Sequence, residues 1–168
     1  MSGAPLVVSG WTLFAHPVFL DQLDALTAQV EALERKDPVG YVKKNATQRL
    51  AAIAKLALQV VPQDPTRPEC RQGDTLGPEH KHWFRAKFFQ QYRLFFRFHA
   101  QAKVIVYASV NDEDTKRAYE SADDAYRVFR RMLDGGRPPS DWGQLLDEAR
   151  AKSERLGRLA SGSARTSP

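Results

Sequence analysis

The sequence predicts an α+β domain: a helical hairpin packed on one face of a small antiparallel sheet, with helices at the C-terminal end. Three observations predict it. Residues 82–110, HWFRAKFFQQYRLFFRFHAQAKVIVYASV, alternate in polarity as three successive strands. Ahead of them, two stretches repeat apolar residues at steps of three and four, the period of a helix. Behind them, two shorter stretches do the same, each with a capping residue at its start.

The elements follow in chain order. Trp11 to Ala15 is a short apolar run that suits a strand. His16-Pro17 ends it, and proline suits the first turn of a helix. Phe19, Leu23, Leu26, Val30 and Leu33 then form one apolar stripe, which Asp37-Pro38 closes. Leu50, Ile53, Leu56, Ala57 and Val60 form a second, with Lys43, Lys44, Arg49 and Lys55 mostly on its wet side. The short link between the two predicts an antiparallel hairpin. Residues 62–79 hold Pro62, Pro65, Pro68, Pro78, Gly73 and Gly77, which forbid regular structure there. A long loop inside the domain is expected, and such loops are often functional or disordered.

In the strand region, Phe84, Ala86, Phe88, then Leu94, Phe96, Phe98, then Val104, Val106, Ala108 and Val110 are assigned to the core side. Arg85 and Lys87, then Arg93, Arg97 and His99, then Tyr107 are assigned to the opposite side, which an antiparallel sheet can leave open. A helix is expected from near Ser121, whose hydroxyl can cap it, with Asp124 three residues on. Its stripe is Ala125, Val128, Phe129, Met132 and Leu133, and Gly135-Gly136 stops it. After Pro138-Pro139, Ser140 or Asp141 caps a last helix through Trp142, Leu145, Leu146 and Ala149. The folded domain then spans residues 10–150, and residues 151–168 are expected to be a flexible tail.

Composition narrows the function. A chain of 168 residues builds one domain with a modest core. Cys70 is its only cysteine, so it has no intramolecular disulfide and no cysteine zinc site, and a reducing cytoplasm fits. No basic segment followed by an apolar run marks a signal peptide, and no stretch approaches the length of a membrane span. The sequence has no internal repeat, no glycine-rich phosphate loop, no His-Glu-x-x-His and no nucleophile elbow. Between Arg67 and Lys103, eight cations stand against Glu69, Asp74 and Glu79, so the whole net charge of +5 sits in that window. Charge concentrated in one segment is a local field that attracts anions.

The strand face carrying Arg85, Lys87, Arg93, Arg97 and His99 holds no carboxylate, which suits a polyanion. Neighbouring cations disfavour a protonated Lys87, so it is a candidate base or a plain phosphate contact. His99 and His82 are the other acid–base candidates, with His99 preferred because it shares the basic face. Tyr107 is assigned to stack on a base or hold a phosphate. Lys81 and His82 lie beside the first strand as further candidate contacts for the polyanion. His80-Lys81-His82 has a spacing that could bind metal, but no third ligand is evident, so neither metal nor cofactor is expected. Trp11, Trp83 and Trp142 read most simply as core or interface anchors.

Four long strings carry a family resemblance: GWTLFAHPVFLDQL, DPVGYVKKNATQRLAAIAKLA, HWFRAKFFQQYRLFFRFHAQAKVIVYASVNDEDTKRAY and DAYRVFRRMLDGGRPPSDWGQLL. From Gly10 to Ala149 the chain resembles the RelE/ParE superfamily of toxins from toxin–antitoxin modules, and within it the YhaV family. The resemblance implies a RelE-like fold and a metal-independent mRNA endoribonuclease that stops translation and growth. Attack by the 2′-hydroxyl would leave a 2′,3′-cyclic phosphate, and in related toxins cleavage occurs on the ribosome. It implies a cognate antitoxin of the PrlF type with an AbrB-like fold, whose complex with the toxin binds operator DNA. Arg85 and Arg93 match the strand arginines that the superfamily sets on phosphate, with Arg97 in support. Arg117 and Tyr119 stand where many members have an arginine and a tyrosine, although the common His-Arg pair is absent. Two other activities stay open at this point: a non-enzymatic inhibitor of DNA gyrase, as in the ParE branch, and a DNA-binding co-regulator acting with the antitoxin.

Overall fold

A computed structural model describes residues 5–72, 76–116, 124–152 and 154–157. The architecture is α+β, as expected. Strands β1 (Leu6–Val8), β2 (Trp11–Ala15), β3 (Phe84–Phe88), β4 (Tyr92–His99) and β5 (Val104–Val110) form one sheet in the order β1-β2-β5-β4-β3. All neighbours are antiparallel except β2 and β5, which run parallel with Thr12 beside Val104. Helices α1 (Pro17–Lys36) and α2 (Asn45–Lys55) form the expected hairpin on one face. Helices α3 (Ala125–Asp134) and α4 (Trp142–Arg150) cover the other. No described helix is long and apolar enough to cross a membrane.

That second layer corrects the expectation of an open face. Phe14, Phe95, Val104, Val106 and Ala108 on the sheet pack against Tyr126, Phe129, Leu133, Leu145 and Ala149. It also corrects the side assigned to β5. Val104, Val106 and Ala108 belong to the α3/α4 side, while Ile105, Tyr107 and Val110 join Phe84, Ala86, Phe96 and Phe98 under the hairpin. Every residue of β5 is buried. A strand covered on both faces is apolar throughout, so alternation cannot say which residues face which layer. The ladder between β4 and β5 also shifts register at Phe95/Phe96, where β5 carries an extra residue.

Tyr107 shows what holds the hairpin down. It is fully buried, its ring lies 5.9 Å from that of Phe19, and its hydroxyl donates to the Ala57 carbonyl at 2.5 Å. After α2 the chain widens into a turn over Leu56–Val60, in which the Val61 amide bonds back to the Leu56 carbonyl. The next amide in that pattern would come from Pro62, which has none, so Ala57 needs a donor from elsewhere. The phenol supplies it. Arg49, assigned to the wet side of α2, is also buried: it bonds Asn45 Oδ1 at 2.7 Å and lies over the Tyr92 ring.

The ends of the elements follow local chemistry. His16 caps α1 by accepting from the Val18 amide at 3.1 Å, and its other ring nitrogen lies 2.9 Å from Glu148 Oε1 on α4. Burial holds the His16 pKa below its ordinary value, and the hydrogen bond from His16 lowers that of Glu148. Asp124, rather than Ser121, caps α3 through the Tyr126 amide; Ser121 lies outside the described residues. Asp141 caps α4, one of the two residues expected to do so. The expected tail is anchored for part of its length. Leu156 is 1% exposed within the α1/α2 core, and Arg155 bonds Asp21 and Asp24 of α1. The chain therefore passes from one side of the sheet to the other after α4. Within residues 62–79, the described part forms short turns at Val61–Gln63, Pro68–Cys70 and Pro78–His80, and Arg71 bridges to Phe84.

Candidate active site

Two of the five candidate catalytic residues converge on a tyrosine that the sequence reading did not single out. The β3–β4 register sets Lys87 directly across from Arg93 and Arg85 across from Phe95. Phe95 stacks on Phe129 of α3 with centroids 4.2 Å apart, and Tyr126 meets Phe95 edge-on at 5.5 Å. This packing fixes the Tyr126 hydroxyl between the strands. It accepts from Arg85 Nε at 2.6 Å and from Arg93 Nε at 3.2 Å. Arg85 Nη1 also donates to the Glu69 carbonyl at 2.6 Å, and Arg93 Nη1 to the carbonyls of Gln90 and Tyr92 at 2.7 and 2.9 Å. Among the described residues neither arginine pairs with a carboxylate, and Nη2 of each has no protein partner.

That arrangement is costly without an anion. Arg93 is only 6% exposed, and a buried guanidinium normally has a counter-ion. The hairpin tip supports the site at a further cost. Phe89 and Gln90 both take positive φ, 47° and 63°, and the Gln90 carbonyl is one that Arg93 uses. Chemically, two guanidinium forks fixed on one hydroxyl can hold a phosphate and stabilise charge that builds on it.

Arg97 and His99 lie elsewhere. Arg97 Nη1 donates to the Ser140 carbonyl at 2.5 Å, and its guanidinium sits over the rings of Trp83 and Trp142. His99 stacks on Trp142, and its Nδ1 accepts from the Ala102 amide. His82, expected off the basic face, joins this second cluster through Ser140 Oγ at 3.2 Å. Burial, with the Arg97 charge second, lowers the His82 pKa. Burial also lowers that of Arg97, which Asp141 partly opposes.

Tyr107 is a correction: it is sealed in the core and reaches no ligand. Lys81 is exposed beside His82. Arg117 and Tyr119 lie outside the described residues. His80 is buried with Nε2 3.9 Å from both Glu79 and Asp134, and no group of three metal-ligating side chains assembles among the described residues. A cleft of about 550 Å³ runs along β3, lined by Arg67, Arg85, Lys87 and one acidic residue, Glu69, with Leu56 and Val60, so Arg85 of the pair faces it. Tyr126 had one signal in the sequence: it lies three residues before Phe129 on the helix, beside the apolar stripe.

Comparison with known proteins fits this geometry. Residues 13–150 match the model of a family described as a toxin with endonuclease activity, of a toxin–antitoxin system, the YhaV toxins. A toxin YhaV from Escherichia coli O6:H1 is 46% identical over 146 residues, which span 86% of this chain and 95% of that protein. The ribonuclease toxin YhaV of Escherichia coli K12 is 45% identical over 146 residues, with the same shares covered. No solved structure matches the chain.

Proposed function

The chain belongs to the YhaV family of toxins from toxin–antitoxin systems, and on that premise we propose that it is an endoribonuclease that cleaves mRNA without a bound metal. The observation that carries the reading is the pair Arg85 and Arg93, fixed on one tyrosine hydroxyl and, among the described residues, in no ion pair with a carboxylate. RNA cleavage by this route needs a base for the 2′-hydroxyl, cations for the charge on phosphorus and a proton for the departing 5′-oxygen. The 2′-oxygen bonds to phosphorus, the bond from phosphorus to the 5′-oxygen breaks, solvent water gives the departing 5′-oxygen its proton, and a 2′,3′-cyclic phosphate remains. Arg85 and Arg93 meet the phosphate through their Nη2 groups. Lys87, across from Arg93, is assigned the proton of the 2′-hydroxyl. Tyr126 does not react: it positions the two arginines.

The wider setting belongs to the same proposal. Cleavage of mRNA, on the ribosome in the cytoplasm, would arrest translation and growth. An antitoxin of the PrlF type, carrying an AbrB-like DNA-binding fold, would neutralise the toxin and bring the complex to operator DNA. The family likeness supports these points, and the basic cleft along β3 supports an anionic ligand.

The test is expression without antitoxin of the wild type, Arg85→Gln and Arg93→Gln, with growth and transcript 5′ ends followed in each. New 5′ ends and growth arrest are expected from the wild type, with cleavage down roughly 10²–10³-fold in either variant. Purified enzyme should cut RNA unchanged in EDTA. Full toxicity of both variants would refute the site. DNA damage signalling with intact mRNA would refute the activity and favour gyrase.

A further inference from the structure

The second cluster lies along β4 from the first, and nothing in the cleavage mechanism uses it. Four residues of extended strand separate Arg93 from Arg97, about 13 Å. Each side chain is pinned to its own end, Arg93 to the hairpin tip and Arg97 to Ser140. Between them stands an apolar wall of Phe95, Phe129 and Trp83. A phosphate at Arg93 is out of reach of a guanidinium held there, because catalytic donors act at about 3 Å.

The cluster has the parts of a binding site. The Arg97 guanidinium is half-buried, 5.7 Å from the Trp83 ring centre and 5.3 Å from that of Trp142. Among the described residues only Nη1 has a partner, which leaves Nε and Nη2 to donate to a ligand. Ser140 Oγ accepts from Trp83 Nε1 at 3.1 Å and lies 3.2 Å from His82 Nε2, which fixes both rings. His99 and Trp142 stack at 6.0 Å with an interplanar angle of 29°, and both are partly exposed. The acidic group acting on Arg97, Asp141, is held by the Gln144 amide at 2.9 Å. A planar cation with spare donors suits a phosphate, and partly exposed rings suit a base.

We propose that this cluster is a second RNA subsite. Arg97 holds a backbone phosphate, and the His99–Trp142 face stacks a base of the same single strand, away from the bond cut at Arg85 and Arg93. The inference rests on the ribonuclease reading and assigns Arg97 and His99 to binding rather than to the reacting bond.

The test uses the full chain released from its antitoxin and two RNA oligonucleotides that share one cleavage site. One has long flanks and the other is trimmed close to the cut. In Arg97→Gln and Trp142→Ala, KM for the long RNA should rise roughly tenfold, the loss of about one stacked base, with kcat held. The advantage of long over short RNA should shrink by the same factor. For Arg97→Gln the slope of log KM against log salt should fall by about 0.7, one phosphate contact on a single strand. His82→Ala, at an exposed position, should move KM in the same direction and covers the case in which Trp142→Ala does not fold.

Unchanged KM in all three overturns the subsite, as does a fall in kcat shared by both substrates. So does weakened binding of the antitoxin alone. A 2′-O-methyl version of the long RNA, followed by anisotropy, separates the two readings. If the wild type binds it through Arg97 yet cuts no RNA, the ribonuclease reading fails and the subsite stands. If the wild type cuts and every variant binds like it, the subsite alone fails.

Discussion

Replacing Tyr126 with phenylalanine removes one oxygen and releases two guanidinium groups. Arg85 loses a 2.6 Å bond and Arg93 a 3.2 Å bond. Arg85 is half-buried and can turn to water, so its loss adds little. Arg93 is 6% exposed and its Nε is left without an acceptor, which costs about 1–3 kcal/mol. At about 2–4 °C per kcal/mol for a chain of this size, the melting temperature should fall by roughly 2–12 °C. The larger effect should fall on catalysis. A misplacement of about 1 Å in a catalytic group can cost on the order of a hundredfold. Tyr126→Phe should therefore lower kcat about 10- to 100-fold with KM nearly unchanged, because the positive charge of both arginines stays on the same strands. The assay is steady-state cleavage of a labelled oligonucleotide, with a thermal melt of the same sample. A variant with wild-type kcat would refute the positioning role, whatever its melting temperature. A rise in KM with kcat intact would place Tyr126 in binding instead.

Three further outcomes are expected. Tyr107→Phe should cost about 1–2 kcal/mol, read as a lower melting temperature, because the Ala57 carbonyl loses its donor; RNA affinity should not change. Leu156→Ala should cost about 2–5 kcal/mol in a denaturant titration, although it lies where a loose tail was expected. The third concerns acid. Burial keeps the folded-state His16 pKa below the ordinary 6.5, so unfolding takes up protons in that window. Stability should be full above pH 6.5 and fall as the pH drops below it. The lowered Glu148 pKa adds a loss in the same direction below 4.5. In melts across pH, His16→Gln should flatten the decline that begins near 6.5, and an unchanged curve would remove His16 from the account.

How much could be read from the sequence depended on how many neighbours each residue had. The α1 stripe was legible because one face of that helix is wet, and Phe19, Leu23, Leu26 and Val30 are all buried on the other. Strands β3 and β4 were legible through Arg85, Lys87 and Arg97, which break their apolar runs. β5 was not, since both its faces are covered and a bulge resets its parity. That error placed Tyr107 among the RNA contacts and left the second helical layer without a sheet face to cover. β1 was missed because three residues are too short for a periodic signal. In the candidate site, Arg85 and Arg93 were legible as cations on one face. Their link through Tyr126 was not, because it joins residues that only the packing of α3 on Phe95 brings together. Nor could alternation show that Arg97 and His99 are turned toward Trp142 and away from the arginine pair.

The parallel pairing of β2 with β5 has a kinetic side. Thr12 is made early and Val104 late, so the centre of the sheet waits for most of the chain to be synthesised. Contacts this far apart in sequence pay their closure entropy before they return any stability, and such topologies fold slowly. Tyr126, which sets the arginines, comes later still, and Leu156, which fastens the hairpin side, after it. The chain therefore passes through an interval in which Arg85 and Arg93 are made but not yet held on Tyr126.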